Sequence, residues 1–156
     1  KAKKIDATLS VAIYLKLLEE QDKAIEQYEY LLTKRPGHST AINNLGWTYV
    51  EREEYEKAEE YFKQNIENNP QFFNWYRSLA DLYQSSMPEK KEEILPLMEQ
   101  GLEKNPQDTE FMIYLAEYYE REKEYENALV WYTKALEVKP NSDYLKESIA
   151  FVEGKL

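Results

Sequence analysis

Apolar residues return every three or four positions over most of the chain, a spacing that predicts helices rather than strands. One stretch carries Ile42, Leu45, Gly46 and Tyr49, followed by Tyr55, Ala58 and Phe62. A later one repeats the classes with Met112, Leu115, Ala116 and Tyr119, followed by Tyr125, Ala128, Tyr132 and Ala135. Each set falls on one helical face, and the gap between its halves predicts two helices joined by a short turn. Small residues recur at matching places: Ala12, Gly46, Ala80 and Ala116 in the first helix of a pair, Ala24, Ala58 and Ala128 in the second. They would let paired helices approach closely.

The prolines give this pattern its period. Pro36, Pro70, Pro106 and Pro140 are separated by 34, 36 and 34 residues and close the similar segments TKRP, ENNP, EKNP and EVKP. Proline stops a helix because it lacks the N–H and restricts the residue before it. The chain therefore divides into helix pairs at about 5–38, 39–72, 73–108 and 109–142, with a final helix over 143–156. That last helix has Asn141 or Ser142 as a candidate N-cap and an apolar stripe of Leu145, Ile149 and Val152. The third pair is two residues longer, and the excess falls in the turn QSSMPEK, where Pro88 suits the first turn of a helix. Pro96 lies within EEILPLMEQGLEK and is expected to distort the helix locally, at about 3 kcal/mol in an ordinary interior setting.

These residues resemble the tetratricopeptide repeat family, whose signature places bulky apolar residues, Leu-Gly, Tyr, Ala, Phe and Pro at these offsets. The resemblance runs over about residues 5 to 140 in four copies, with Thr8 replacing a bulky residue and Asn65 a small one. It implies an all-α fold, an α-solenoid in which antiparallel helix pairs build a right-handed superhelix, forming a single array over 1–156. It also implies a concave wall lined by the first helix of each pair. The positions left over from packing on those helices are Asp6, Leu9, Ile13 and Lys16; Thr40, Asn43, Trp47 and Val50; Asn74, Arg77, Asp81 and Gln84; and Glu110, Ile113, Glu117 and Glu120. The candidate groove residues are Asn43, Asn44, Trp47, Asn74, Arg77, Asp81, Ile113, Tyr114 and Glu117. Some family members grip an acidic chaperone tail with Lys, Asn, Lys and Arg. Only Asn44 matches that clamp here, because Leu9 and Ile13 and then Asn74 and Ser78 occupy the other places, so that ligand is not expected.

Charge changes the picture of the partner. The net charge is −10, and residues 1–36 carry +1 while residues 107–140 carry −4. Such a field opposes phosphate backbones and anionic lipid, so neither nucleic acid nor membrane insertion is expected, and a protein or extended peptide with basic residues and an apolar anchor fits best. The first helix, TLSVAIYLKLLEE, is apolar on all sides, so Leu9, Ile13 and Leu17 are expected to be covered by an upstream repeat, a partner or a second copy.

Candidate chemistry adds little. His38 is the single histidine and sits in a connection beside Ser39, a candidate N-cap. With no cysteine, no HExxH and no glycine-rich phosphate loop, no catalytic residue, metal or cofactor is expected. The carboxylates in EREEYEKAEE alternate with Lys and Arg, as on a solvated helix face. A non-catalytic interaction scaffold follows, with an accessory domain of a larger enzyme or assembly machine, or a self-associating array, as rivals. Lack of cysteine chooses no compartment; cytoplasm is the default, and a removed export signal would allow an exported or periplasmic location.

Overall fold

A computed structural model describes the backbone of residues 2–156 and the side chains of residues 7–156, so Asp6, one of the wall positions, lies outside the described side chains. Among the described residues there are nine α-helices and no strand. They run α1 (Ala2–Leu17), α2 (Gln21–Lys34), α3 (Ser39–Glu51), α4 (Tyr55–Asn68), α5 (Phe73–Ser86), α6 (Ile94–Lys104), α7 (Thr109–Arg121), α8 (Tyr125–Val138) and α9 (Asp143–Glu153). Two compact units divide the chain between Lys91 and Glu92.

In the first unit, α1 pairs with α2 and α3 with α4, and α2 and α4 each pack against the next first helix. The small residues do what their spacing predicts: Ala12, Ala24, Ala58 and Ala80 are fully buried. Gly46 shows why. A Cβ there would stand 2.5 Å from the Phe62 ring, itself fully buried, so the roughly 1 kcal/mol that glycine costs a helix is exchanged for close approach of α3 and α4. The turns between paired helices hold Glu19 and Glu53 at φ of 61° and 62°, the left-handed conformation that lets so short a connection reverse the chain.

Two local expectations are corrected. His38, not Ser39, caps α3: its Nδ1 accepts from the Ala41 N–H at 3.3 Å, the job an Asn or Ser oxygen usually does. Ser39 instead receives hydrogen bonds from the C-terminal end of α4 and the residue that caps it, with Asn65 Nδ2 donating to its carbonyl at 3.0 Å and Asn69 Nδ2 to its hydroxyl at 2.9 Å. That explains Asn65 where the repeat pattern wants a small residue. Pro96 is also not in a helix interior. A 3-10 helix occupies Pro88–Glu93, α6 starts only at Ile94, and Pro96 is its third residue, where a backbone N–H needs no intrahelical partner. The distortion therefore lies upstream of Pro96.

The second unit packs α6 on α7, α7 on α8 and α8 on α9 around Met112, Ala116, Ala128, Tyr132, Ala135, Leu145 and Val152. Gly101 repeats the Gly46 device, since a Cβ there would meet the Phe111 ring at 2.1 Å. Ser142 caps α9, its hydroxyl accepting from the Leu145 N–H at 3.4 Å.

Candidate functional site

The candidate residues on α3 are half-buried, and each has a neighbour. Asn43 Oδ1 accepts from the Ser78 hydroxyl of α5 at 2.9 Å, tying the two first helices side by side. Asn44 lies beside the Tyr28 hydroxyl of α2, which makes no hydrogen bond of normal geometry. Burial pushes that hydroxyl's pKa up, and the Asn44 amide offsets part of the effect. Trp47 sits against Phe62 of α4, with ring centroids 5.2 Å apart at 57°. On α5, Asn74 and Arg77 are exposed, and Arg77 approaches Asp81 at 3.6 Å one turn on. These six residues belong to two adjacent helices of one unit.

On α4 the same unit holds a buried charge that sequence reasoning placed on a solvated face. Glu59 of α4 is only 6% exposed. It accepts from the Tyr83 hydroxyl at 2.8 Å and pairs with Lys63 at 2.7 Å and with Lys90 of the 3-10 helix. Burial alone would raise its carboxyl, but hydrogen bonds from Lys63, Lys90 and Tyr83 outweigh it and hold the pKa at about 2. The extra residues of the third repeat thus deliver Lys90 to a buried carboxylate. The EREEYEKAEE run gives no hint of this, because two of the three partners, Tyr83 and Lys90, lie 24 and 31 residues away.

In the second unit, Ile113 packs at the edge of the core and Tyr114 is buried, with the Arg121 guanidinium 5.9 Å from its ring. Glu117 Oε1 accepts from the Tyr144 hydroxyl of α9 at 2.7 Å. Glu120 Oε2 accepts from the buried Tyr132 hydroxyl of α8 at 2.8 Å. Burial, reinforced by Glu120, pushes the Tyr132 pKa far up, and burial with Glu117 raises that of Tyr144, so both remain donors. Tyr144 escaped sequence reasoning because only the Leu145, Ile149 and Val152 stripe of the last helix was given a role. The seven-residue spacing from Tyr144 to Phe151 was the available signal.

At the other end, Leu9 is half-buried, while Ile13 and Leu17 are exposed together with Tyr14 and Leu18. No helix is long and apolar enough to cross a membrane, and no group of three His, Cys, Asp or Glu could hold a metal ion, both among the described residues.

Comparison with known proteins assigns the repeats. Two family profiles, both described as tetratricopeptide repeat, match residues 14–71 and 109–142, together more than half of the chain. The chain belongs to the tetratricopeptide repeat family. Solved structures agree on the fold. MamA is similar with a TM-score of 0.66 at 18% identity, covering 99% of this chain and 84% of its own. YrrB, whose structure is titled a TPR protein with an unusual peptide-binding site, is similar at 0.58 and 20% identity over 94% of this chain and 75% of its own. A thermophilic TPR protein from Thermus thermophilus, TTC0263, gives 0.60 at 19% identity over 95% and 80%. No curated protein matches in sequence. A tetratricopeptide repeat array is in general a protein–protein interaction scaffold, and such scaffolds are generally non-catalytic.

Proposed function

We propose that this tetratricopeptide repeat chain holds an extended, basic peptide of a partner protein against the first helices of its repeats. The observation that carries this is the α3–α5 face. The Asn43–Ser78 hydrogen bond sets the two helices side by side, and beside it stand half-buried Trp47 and exposed Asn74 and Arg77. Amides can pair with the backbone of an extended chain while the indole edge accepts an apolar anchor. The peptide-binding site named for YrrB supports the class of ligand, and the net charge of −10 favours basic residues within it. A displayed library of random peptides tests the proposal. The wild type should enrich extended, basic sequences, and an Asn74→Ala variant, altered only at an exposed position, should bind them about fivefold or more weakly. Enrichment of nothing, or equal affinity for both proteins, overturns it.

A second reading is favoured by one observation. Leu17 is 76% exposed and Tyr14 62%, so α1 carries apolar surface suited to a second copy of the chain. Light scattering over a concentration series should then show association that Leu17→Lys abolishes. A monomer throughout removes this reading.

A further inference from the structure

The last two first-type helices enclose a feature that the repeat pattern does not require. An open cleft of about 490 Å³ lies between α7 and α9, lined by Glu117, Glu120 and Arg121 on one side and by Tyr144, Glu147 and Phe151 on the other. Tyr144 and Phe151 are about half exposed, so two aromatic side chains line the cleft next to three carboxylates. Those carboxylates have no ion pair among the described residues. Glu117 and Glu120 accept only from tyrosine hydroxyls. Arg121, the cation in reach, stands over the rings of Tyr114 and Tyr118 instead, 5.9 Å from each centroid. Lys155 lies over the Phe151 ring at 5.0 Å. Other acidic residues of the chain do find cations: Glu59 has Lys63 and Lys90, Glu54 has Arg52 and Lys57, and Glu51 has Lys16.

We propose that the α7–α9 cleft takes the guanidinium of an arginine from a basic peptide, held between the Glu117 and Glu147 carboxylates and stacked against Tyr144 and Phe151. The proposal deepens the peptide-binding reading and rests on it. Charge complementarity selects a cation, and the aromatic walls select the planar, weakly hydrated guanidinium over an ammonium. Among the described residues no group of three His, Cys, Asp or Glu could hold a metal ion in their place. The hydroxyl of Tyr144 fixes one oxygen of Glu117, so part of the ordering needed for a two-pronged contact is already in place before the peptide arrives.

The test uses the whole chain and a fluorescein-labelled Ala-Arg-Ala-Arg-Ala peptide, followed by anisotropy at moderate salt. Glu117→Gln with Glu147→Gln should weaken binding about tenfold or more, since a charged hydrogen-bonded pair is replaced by a neutral one. A control with the same change of net charge, Glu126→Gln with Glu137→Gln on the exposed side of α8, should weaken it less than about twofold. Phe151→Ser, at a half-exposed position, should also weaken it, and citrulline in place of arginine should abolish it. Equal losses in the two double variants would show attraction by net charge alone and overturn the proposal, as would equal affinity for citrulline or no binding. The probe carries no apolar anchor, and the cleft lies wholly in the second unit. Asn74→Ala should therefore leave this binding unchanged, and failure here leaves the α3–α5 face to be judged by its own experiment.

Discussion

Two groups of polar side chains, one in each unit, are held in different ways. In the first unit, Glu59 is enclosed by Tyr83, Lys63 and Lys90, Asn43 is met by Ser78, and Arg52 lies between Asp22 and Glu54. In the second, Glu117 and Glu120 accept from neutral hydroxyls and form no ion pair among the described residues, although Arg121 lines the same open cleft. A mutually satisfied network contributes to folding, and breaking it costs stability. An oriented but uncompensated carboxylate contributes little to folding and keeps its charge for a ligand.

The comparison breaks most visibly at Glu59. Glu59→Ala leaves the Tyr83 hydroxyl and Lys90 without their shared acceptor and should cost about 2–3 kcal/mol, discounted because Lys63 and Lys90 keep some access to water. Urea unfolding followed by circular dichroism measures it; a loss below about 0.5 kcal/mol, the level of an ordinary surface change, would show that the cluster is not a stabilising network. The same carboxyl gives a pH dependence. Its pKa falls from an ordinary 4.5 to about 2 on folding, so its contribution is complete above 4.5 and is lost as pH falls through the folded value. That loss is of order 3 kcal/mol between about pH 4.5 and 2, visible as a falling midpoint in wild type and a flatter profile in Glu59→Ala.

Much of this contrast is invisible in the sequence, for a physical reason. The helix pairs, their phase and the buried small residues are written as local periodicity, so Gly46, Ala58 and Ala116 announce their roles through spacing alone. The partners of polar groups are not local. Glu59 looks like any other acid in EREEYEKAEE until the 3-10 helix brings Lys90 to it, and Asn65 looks like a departure until its amide reaches Ser39. His38 as a cap and Pro96 in a first turn depend on where a helix starts, which shifts by a residue or two without disturbing the pattern. Asn43, Asn44 and Trp47 stand out in the sequence as positions off the apolar stripe. That each also has a neighbour, in Ser78, Tyr28 and Phe62, follows only from the packing of successive helices.

The sharpest test of the contrast sets one substitution in each unit side by side. Asn43→Ala leaves the Ser78 hydroxyl, only 8% exposed, without its acceptor and should cost about 1 kcal/mol. Glu117→Gln keeps an oxygen to accept from Tyr144 and removes one charge from a cleft that holds three carboxylates and one arginine, so stability should change by less than about 0.5 kcal/mol, with a slight gain at low salt. Paired denaturation curves at two salt concentrations decide it. The Asn43 variant should be insensitive to salt, because a neutral hydrogen bond is not screened, and the Glu117 variant should lose its small gain as salt rises. If Glu117→Gln destabilises as much as Asn43→Ala, the carboxylate belongs to the architecture after all, and the division of labour between the units fails.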